Sequence, residues 1–254
     1  MPFRFFRSEP EPEAVPPAVP EGVRVYAIGD VHGCLAEFDD LLERIRRDDA
    51  QRDPAHSVLI LLGDLVDRGP DSAGVIERVI DLLASESDIR VIGGNHEEIF
   101  RKAATGDPEA LRFFTQIGGC ETILSYGMQV AEYDRSNYSQ LAARLAALVP
   151  DEHIAFLERL EDMVEIGDYA FVHAGIRPGV ALDAQRASEL RWIRAPFLDS
   201  ERDHGKVIVH GDSISEDVEE RANRIGIDTG CFSTGRLTAL GLEGTERWYL
   251  STGG

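Results

Sequence analysis

Cysteine is scarce: Cys34, Cys120 and Cys231 are the only three in 254 residues, and no two form a CxxC pair. That excludes a disulfide framework and suits reduced thiols in a cytoplasmic chain. Long apolar runs are missing too, since no stretch approaches the roughly 20 residues that cross a bilayer. Met1 to Arg7 carries two arginines and three phenylalanines. It lacks the apolar core and small-residue cleavage site of an export signal, and is not read as one. Basic residues are few, 26 against 46 acidic, for a formal charge of −20. Such a chain has no general attraction for nucleic acid or anionic lipid, so neither nucleic acid nor membrane is expected as a partner. The same acidity opposes a phosphorylated ligand, and any phosphate site must be made positive locally by metal ions and placed arginines. No GxxxxGK[ST] phosphate loop occurs, which argues against a nucleotide-driven motor or kinase. Cys34 lies outside any HCx5R loop and is read as a packing thiol.

What is present is ordinary for a globular chain, with 43% hydrophobic and 28% charged residues. The length suits one catalytic domain. Residues 1–21 interleave six prolines with glutamates and are expected to form a disordered tail, leaving 22–254 as the domain. From Val23 the pattern changes. VRVYAI, SVLILL and DIRVI are short, β-branched apolar runs of strand length separated by helical segments, which predicts βαβ units. Residues 97–161 carry apolar residues at helical spacing and are expected to form a helical insertion. Strand-like runs return at YAFVHAG, KVIVHGD, RIGIDTG and RLTAL.

Each of the first three runs ends in glycine followed by a polar side chain: Gly29-Asp30, Gly63-Asp64 and Gly93-Gly94-Asn95. Ligands of open α/β sheets bind beyond the carboxyl ends of the strands, so these residues should converge on one rim. Carboxylate, imidazole and amide oxygen at successive strand ends suit a divalent metal such as manganese, iron or zinc. His56, His153 and His204 lie outside this pattern and are taken as structural or exposed.

The three segments GDVHG (29–33), GDLVDRG (63–69) and GNHE (94–97), in this order and spacing, resemble the signature of the PPP-type serine/threonine protein phosphatases of bacterial type, within the calcineurin-like metallophosphoesterases. The match runs from about Val23 to about Leu240. The resemblance implies an α/β fold of two packed mixed sheets flanked by helices, with a dinuclear metal site at the strand ends. It implies Asp30 and His32 as ligands of one ion, Asp64 as the carboxylate shared by both, and Asn95, His173 and His210 as ligands of the other. Two divalent ions are implied, manganese first, with iron or zinc as alternatives. The reaction implied is direct attack of a metal-bridging hydroxide on a phosphoserine or phosphothreonine monoester, extending to phosphotyrosine. His96 matches the general acid, Asp67 the carboxylate that orients it, and Arg68 a phosphate-gripping arginine. Arg194 is the candidate for a second phosphate contact, with Arg177 behind it. Phosphorylated proteins or peptides would be the substrates.

One departure stands out. The family usually reads His-Gly-His where this chain has His210-Gly211-Asp212. A carboxylate at Asp212 retains hydrogen-bonding capacity but alters local charge and metal preference. The nearest rival is a symmetrical diadenosine tetraphosphate hydrolase. Those enzymes typically lack the aspartate at the position of Asp67 and read Gly-Asn-His-Asp, whereas GDLVDRG and GNHE keep the protein-phosphatase form. A third reading, a phosphate-binding scaffold without turnover, has no support from the ligand positions, all of which are filled.

Overall fold

The apolar runs hydrogen-bond into two five-stranded mixed sheets. The computed structural model describes residues 15–86 and 88–253. The first sheet has the order β10-β9-β1-β2-β3, with β1 (Val23–Ile28), β2 (His56–Leu61) and β3 (Ile89–Val91) parallel, and β9 (Thr238–Glu243) and β10 (Glu246–Ser251) antiparallel. The second has the order β4-β5-β6-β8-β7. In it β5 (Tyr169–Val172), β6 (Val207–His210) and β8 (Arg224–Gly226) run parallel between antiparallel β4 (Met163–Ile166) and β7 (Glu219–Glu220). The strand periodicity of the sequence singled out neither β4, β7 nor β10. All three are edge strands with charged or half-exposed residues, where one buried face gives little apolar signal.

Alternation along the central strands builds the layers. In β1, Val25 and Ala27 face the second sheet, joining Val58, Ile60, Phe171 and Val209 in the core between the sheets. Tyr26 and Ile28 face the other way, onto α1 (Leu35–Gln51) and α2 (Ser72–Ser85). Burial on both faces explains why β1 and β2 read as continuous apolar runs. The outer face of the second sheet, Ala170, Val172 and Ile208, packs on Leu190 of α9 (Ala187–Trp192) and Phe197 of α10 (Ala195–Leu198).

Between Asn95 and Leu157 the chain forms six helices, from α3 (Asn95–Ala104) to α8 (Asp151–Leu157). Their apolar faces supply Phe100, Leu111, Phe114, Ile123, Leu145 and Phe156 to the helix side of the first sheet. His153, expected to be structural, is buried there between Tyr126 Oη (2.8 Å) and Glu77 (3.0 Å).

The proline-rich tail drawn through residue 21 falls partly on residues 1–14, which lie outside the described residues. Residues 15–21 are different from that expectation. The Ala18 carbonyl accepts from Asp168 N (2.9 Å), Ala18 N donates to the Asp168 carboxylate (2.9 Å), and Val19 N donates to Gly244 O (2.9 Å). Val19 is buried in the inter-sheet core. The strap therefore joins the β4–β5 turn of one sheet to the β9–β10 turn of the other, and composition alone did not register one buried valine among prolines. Val19→Ala should cost about 1–3 kcal/mol, the range for a large-to-small core change. A urea midpoint equal to that of the unaltered protein would show that the strap adds nothing.

Candidate metal centre

The loops that leave β1, β2 and β3 are bonded to one another before any ligand is considered. Val31 N and His32 N donate to Asp64 O (3.1 and 2.7 Å), and Gly33 N donates to Leu65 O (2.8 Å). Their closeness demands glycine: a Cβ on Gly94 would collide with the Asp64 carboxylate, and one on Gly69 with the His32 carbonyl. Side chains at this rim also adopt backbone conformations that L-residues avoid. Among the described residues, His32, Asp64, Asp67, Arg68 and Asp212 are five of the six non-glycine positions with positive φ. That concentration marks a place where surrounding structure holds strain in the service of side-chain placement.

Asp64 lies at the centre. Its Oδ2 is 3.5 Å from His32 Nε2 and 3.8 Å from His96 Nε2, and its Oδ1 is 3.4 Å from His173 Nε2. Asp30, Asp64 and His173 bring ligand atoms within 4.8 Å of one another, as do His32, Asp64 and His96. Asp30, Asp64, His32 and His173 are all essentially inaccessible to solvent. His32 Nδ1–H donates to Val66 O (2.8 Å) and His173 Nδ1–H to Leu62 O (2.9 Å), so both rings turn Nε2 inward as an acceptor.

Beside this cluster, His96 Nδ1–H donates to Asp67 Oδ2 at 2.6 Å. Asp67 is itself fixed: Thr122 Oγ1 donates to its Oδ1 (2.6 Å), and its own N–H meets Ser72 and Thr122 hydroxyls (2.9 Å each). Arg68 spans the two imidazoles, donating to His32 Nε2 (2.9 Å) and His96 Nε2 (3.0 Å). Its backbone N–H is held by Gly118 O (3.0 Å), which ties the helical insertion to the site.

His173 and His210, paired by the sequence reading, go to opposite faces. His173 follows Tyr169 and Phe171, which face the inter-sheet core. His210 follows Ile208, which faces outward. The His210 ring stands edge-on to Phe197 at 5.1 Å, its Nδ1–H donates to Gly211 O (3.0 Å), and its Nε2 points toward Gly226. The residue brought to the cluster is Asp212, whose Oδ1 is 3.8 Å from His173 Nε2 and whose N–H donates to Asp30 Oδ2 (3.0 Å). Asp212 also accepts from Asn95 Nδ2 (2.7 Å) and is gripped by Arg194 through two bonds of 2.8 and 3.0 Å. Arg194 thus reaches the rim. Arg177 does not, being paired with Glu189 at 2.7 Å.

The family model for calcineurin-like phosphoesterases matches residues 23–225. The chain belongs to that family. This phosphoesterase is 31% identical over 198 residues to a symmetrical bis(5'-nucleosyl)-tetraphosphatase of Nitrosospira multiformis, covering 74% of this chain and 60% of the relative. It is 27% identical over 234 residues to the asymmetrical bis(5'-nucleosyl)-tetraphosphatase PrpE of Anoxybacillus flavithermus, covering 84% of this chain and 88% of the relative. The likeness to serine/threonine-protein phosphatase 1 of Salmonella typhimurium is 37% but extends over 87 residues, 34% of this chain. Among solved structures, a putative diadenosine tetraphosphatase superposes with a TM-score of 0.62 at 22% identity, covering 93% of this chain and 98% of the other. The expected two-sheet metallophosphoesterase fold is thereby shown, while the sequence likeness to that protein phosphatase spans 87 residues.

The site concentrates negative charge where water cannot reach. Burial raises the Asp30 pKa well above the carboxylate range, helped by Asp228, Asp64 and Asp212. Burial also raises Asp64 to about 6, and it lowers His32 and His96. Asp30 Oδ1, His173 Nε2 and Asp228 Oδ2 are buried with no hydrogen-bond partner. Unpaired inward donors among crowded acids fit divalent cations.

Two further residues escaped the sequence reading. Asp228, in RIGIDTG, is buried at the same rim, and its place just past a strand-like run is the signal that could have found it. Glu97, quoted only as a letter of GNHE, accepts from Asp64 N (2.8 Å), Leu65 N (2.7 Å), Val66 N (3.2 Å) and Gly94 N (2.8 Å). It is the carboxylate that locks the strained Asp64 loop onto α3. Glu97→Gln would set an amide NH2 against those N–H groups and should destabilise the fold by about 1–3 kcal/mol. Melting in the presence of a chelator separates this from metal loss; an unshifted midpoint there would deny Glu97 the role.

Proposed function

We propose that this phosphoesterase hydrolyses a bis(5'-nucleosyl) tetraphosphate. The observation that carries the reading is the extent of the likeness: tetraphosphatases align along 84% of the chain, the protein phosphatase along 34%. It supports the dinucleotide ahead of the phosphoprotein substrate that the motifs put first. A rim feature agrees with it. The Phe232 ring is 37% exposed and lies 5.0 Å from the Arg68 guanidinium, offering an apolar platform for a base next to a phosphate-binding arginine.

In this reading Asp30, His32, Asp64, Asn95 and His173 hold two divalent cations, which when bound polarise phosphoryl oxygens and activate water at neutral pH. Arg68 binds the phosphoryl oxygens with its planar fork of donors. Because the same fork now caps His32 Nε2 and His96 Nε2, a phosphate that draws Arg68 away uncovers both nitrogens. His96, its Nδ1–H fixed on Asp67, can then take up a proton at the freed Nε2 and pass it to the leaving oxygen. Arg194, with its side chain 62% exposed, lies where a second phosphate would meet it.

The phosphoprotein reading keeps one specific observation in its favour, the buried Asp67–His96 pair at 2.6 Å. A serine alkoxide needs a well-oriented acid to leave, whereas a nucleoside phosphate leaves unaided. The two readings separate on manganese-dependent hydrolysis of diadenosine tetraphosphate, a phosphoserine peptide and an aryl phosphate. The dinucleotide should show the highest kcat/KM, and chromatography of its products gives symmetrical or asymmetrical cleavage. Hydrolysis of the peptide alone would overturn the proposal, and no turnover with full metal loading would favour a scaffold. His96→Asn should lower peptide turnover by about 10²–10⁴-fold, the span of general acid catalysis, and dinucleotide turnover by less. Asp64→Asn should lose bound metal and nearly all activity while keeping the circular dichroism spectrum; two ions still present by metal analysis would contradict the shared role of Asp64.

A further inference from the structure

We infer that Asp212, and not His210, donates to the second cation, so that this ion is held by two carboxylates, an amide oxygen and a single imidazole. The inference rests on the two-cation reading of the site but not on the choice of substrate. Strand alternation carries the first half of it. His210 shares the outward face of the second sheet with Ile208, against Phe197, while the chain turns back at Gly211. Gly211 N donates to His173 O (2.7 Å), which sets the next residue beside His173. A Cβ on Gly211 would collide with the Asp30 carboxylate, so only glycine permits that approach.

Donor spacing carries the second half. Ligand atoms about 2.1 Å from one cation stand roughly 3.0–3.5 Å apart at octahedral to tetrahedral angles. His173 Nε2, buried and without a hydrogen-bond partner, is 3.4 Å from Asp64 Oδ1, within that range, and 3.8 Å from Asp212 Oδ1, slightly beyond it, a gap that a bound cation would draw in. Asn95 belongs to the same group. Its Nδ2 donates to Asp212 Oδ1 (2.7 Å) and to Arg191 O (3.2 Å), which fixes the amide and leaves Oδ1 as its free donor. His210 Nε2 is likewise buried without a partner, but it lies against Gly226 and is in neither of the clusters that Asp64 joins.

Two consequences follow from the chemistry. Replacing an imidazole by a carboxylate makes the donor set harder and more anionic, which favours manganese over zinc relative to a histidine at this position. Asp212 Oδ1 already accepts from both Asn95 and Arg194, so a cation there competes with the guanidinium. Cation binding therefore loosens Arg194 from one oxygen and makes its donors available to a phosphate.

The test is metal binding, measured by calorimetry with manganese and with zinc and by metal analysis after gel filtration, without substrate. His210→Ala should bind two ions with affinities within about 2-fold of the unaltered protein. Asp212→Asn should weaken one of the two by about 10–100-fold or more, at least the loss expected for an outer-shell partner. Asp212→His should restore two-ion binding with the preference moved toward zinc, which also excludes misfolding as the cause of the loss. Arg194→Ala should bind manganese several-fold more tightly. Unchanged affinities in Asp212→Asn, loss of an ion in His210→Ala, or weaker manganese binding in Arg194→Ala would each overturn the inference.

Discussion

Four carboxylates, Asp30, Asp64, Asp212 and Asp228, are buried at one rim of the molecule, and most of its unusual features answer the repulsion among them. Charges removed from water and crowded together are tolerated only where partners or cations offset them. Arg194 and Asn95 serve Asp212, the N–H of Asp212 serves Asp30, and the N–H of His96 serves Asp64 at 3.1 Å. Some polar atoms at this rim remain unserved. Asp30 Oδ1, Asp228 Oδ2 and His173 Nε2 have no protein partner, which is how a fold reserves positions for ions that the chain itself cannot supply.

The backbone is shaped to that end. Asp64, Asp67 and Arg68 take positive φ within one loop, a conformation that would relax if left alone. Glu97 prevents it by collecting the N–H groups of residues 64–66 and of Gly94 on a single carboxylate. The Asp67–His96 pair receives the same treatment, with Asp67 held by Thr122 and Ser72 from two different helices. An inner ring of chemistry is thus braced by an outer ring of hydrogen bonds that contributes nothing to the reaction directly.

Much of this was readable in the sequence, and the gaps have physical reasons. Strand ends punctuated by Gly-Asp located Asp30 and Asp64, because glycine is needed where loops touch and the sheet geometry gathers its carboxyl ends. The helical segment after Asn95 was legible from apolar spacing. His210 was grouped with His173 by motif resemblance, and VIVH, apolar on both faces, carries no sign of which side looks inward; the structure sets His210 against Phe197 and brings Asp212 to the rim. Edge strands β7 and β10 were invisible because Glu219–Glu220 and ERWYLS bury too little to leave a pattern. Asp228 was passed over because Ile227 separates it from Gly226 in RIGIDTG, so it lacks the Gly-Asp pair that marked the others. The strap around Val19 failed the compositional test for order, since a few long-range hydrogen bonds and one side chain hold it.

That strap also bears on mechanics. Asp30 and Asp64 descend from one sheet, His173 and Asp212 from the other, and every distance between these pairs depends on the angle at which the sheets meet. Gly244 and Asp168, where Ala18 and Val19 attach, lie beyond the strand ends farthest from the rim. The segment clasps the two sheets together at that far end, so a short stretch remote from any chemistry adds to the inter-sheet core in holding the angle on which the rim depends.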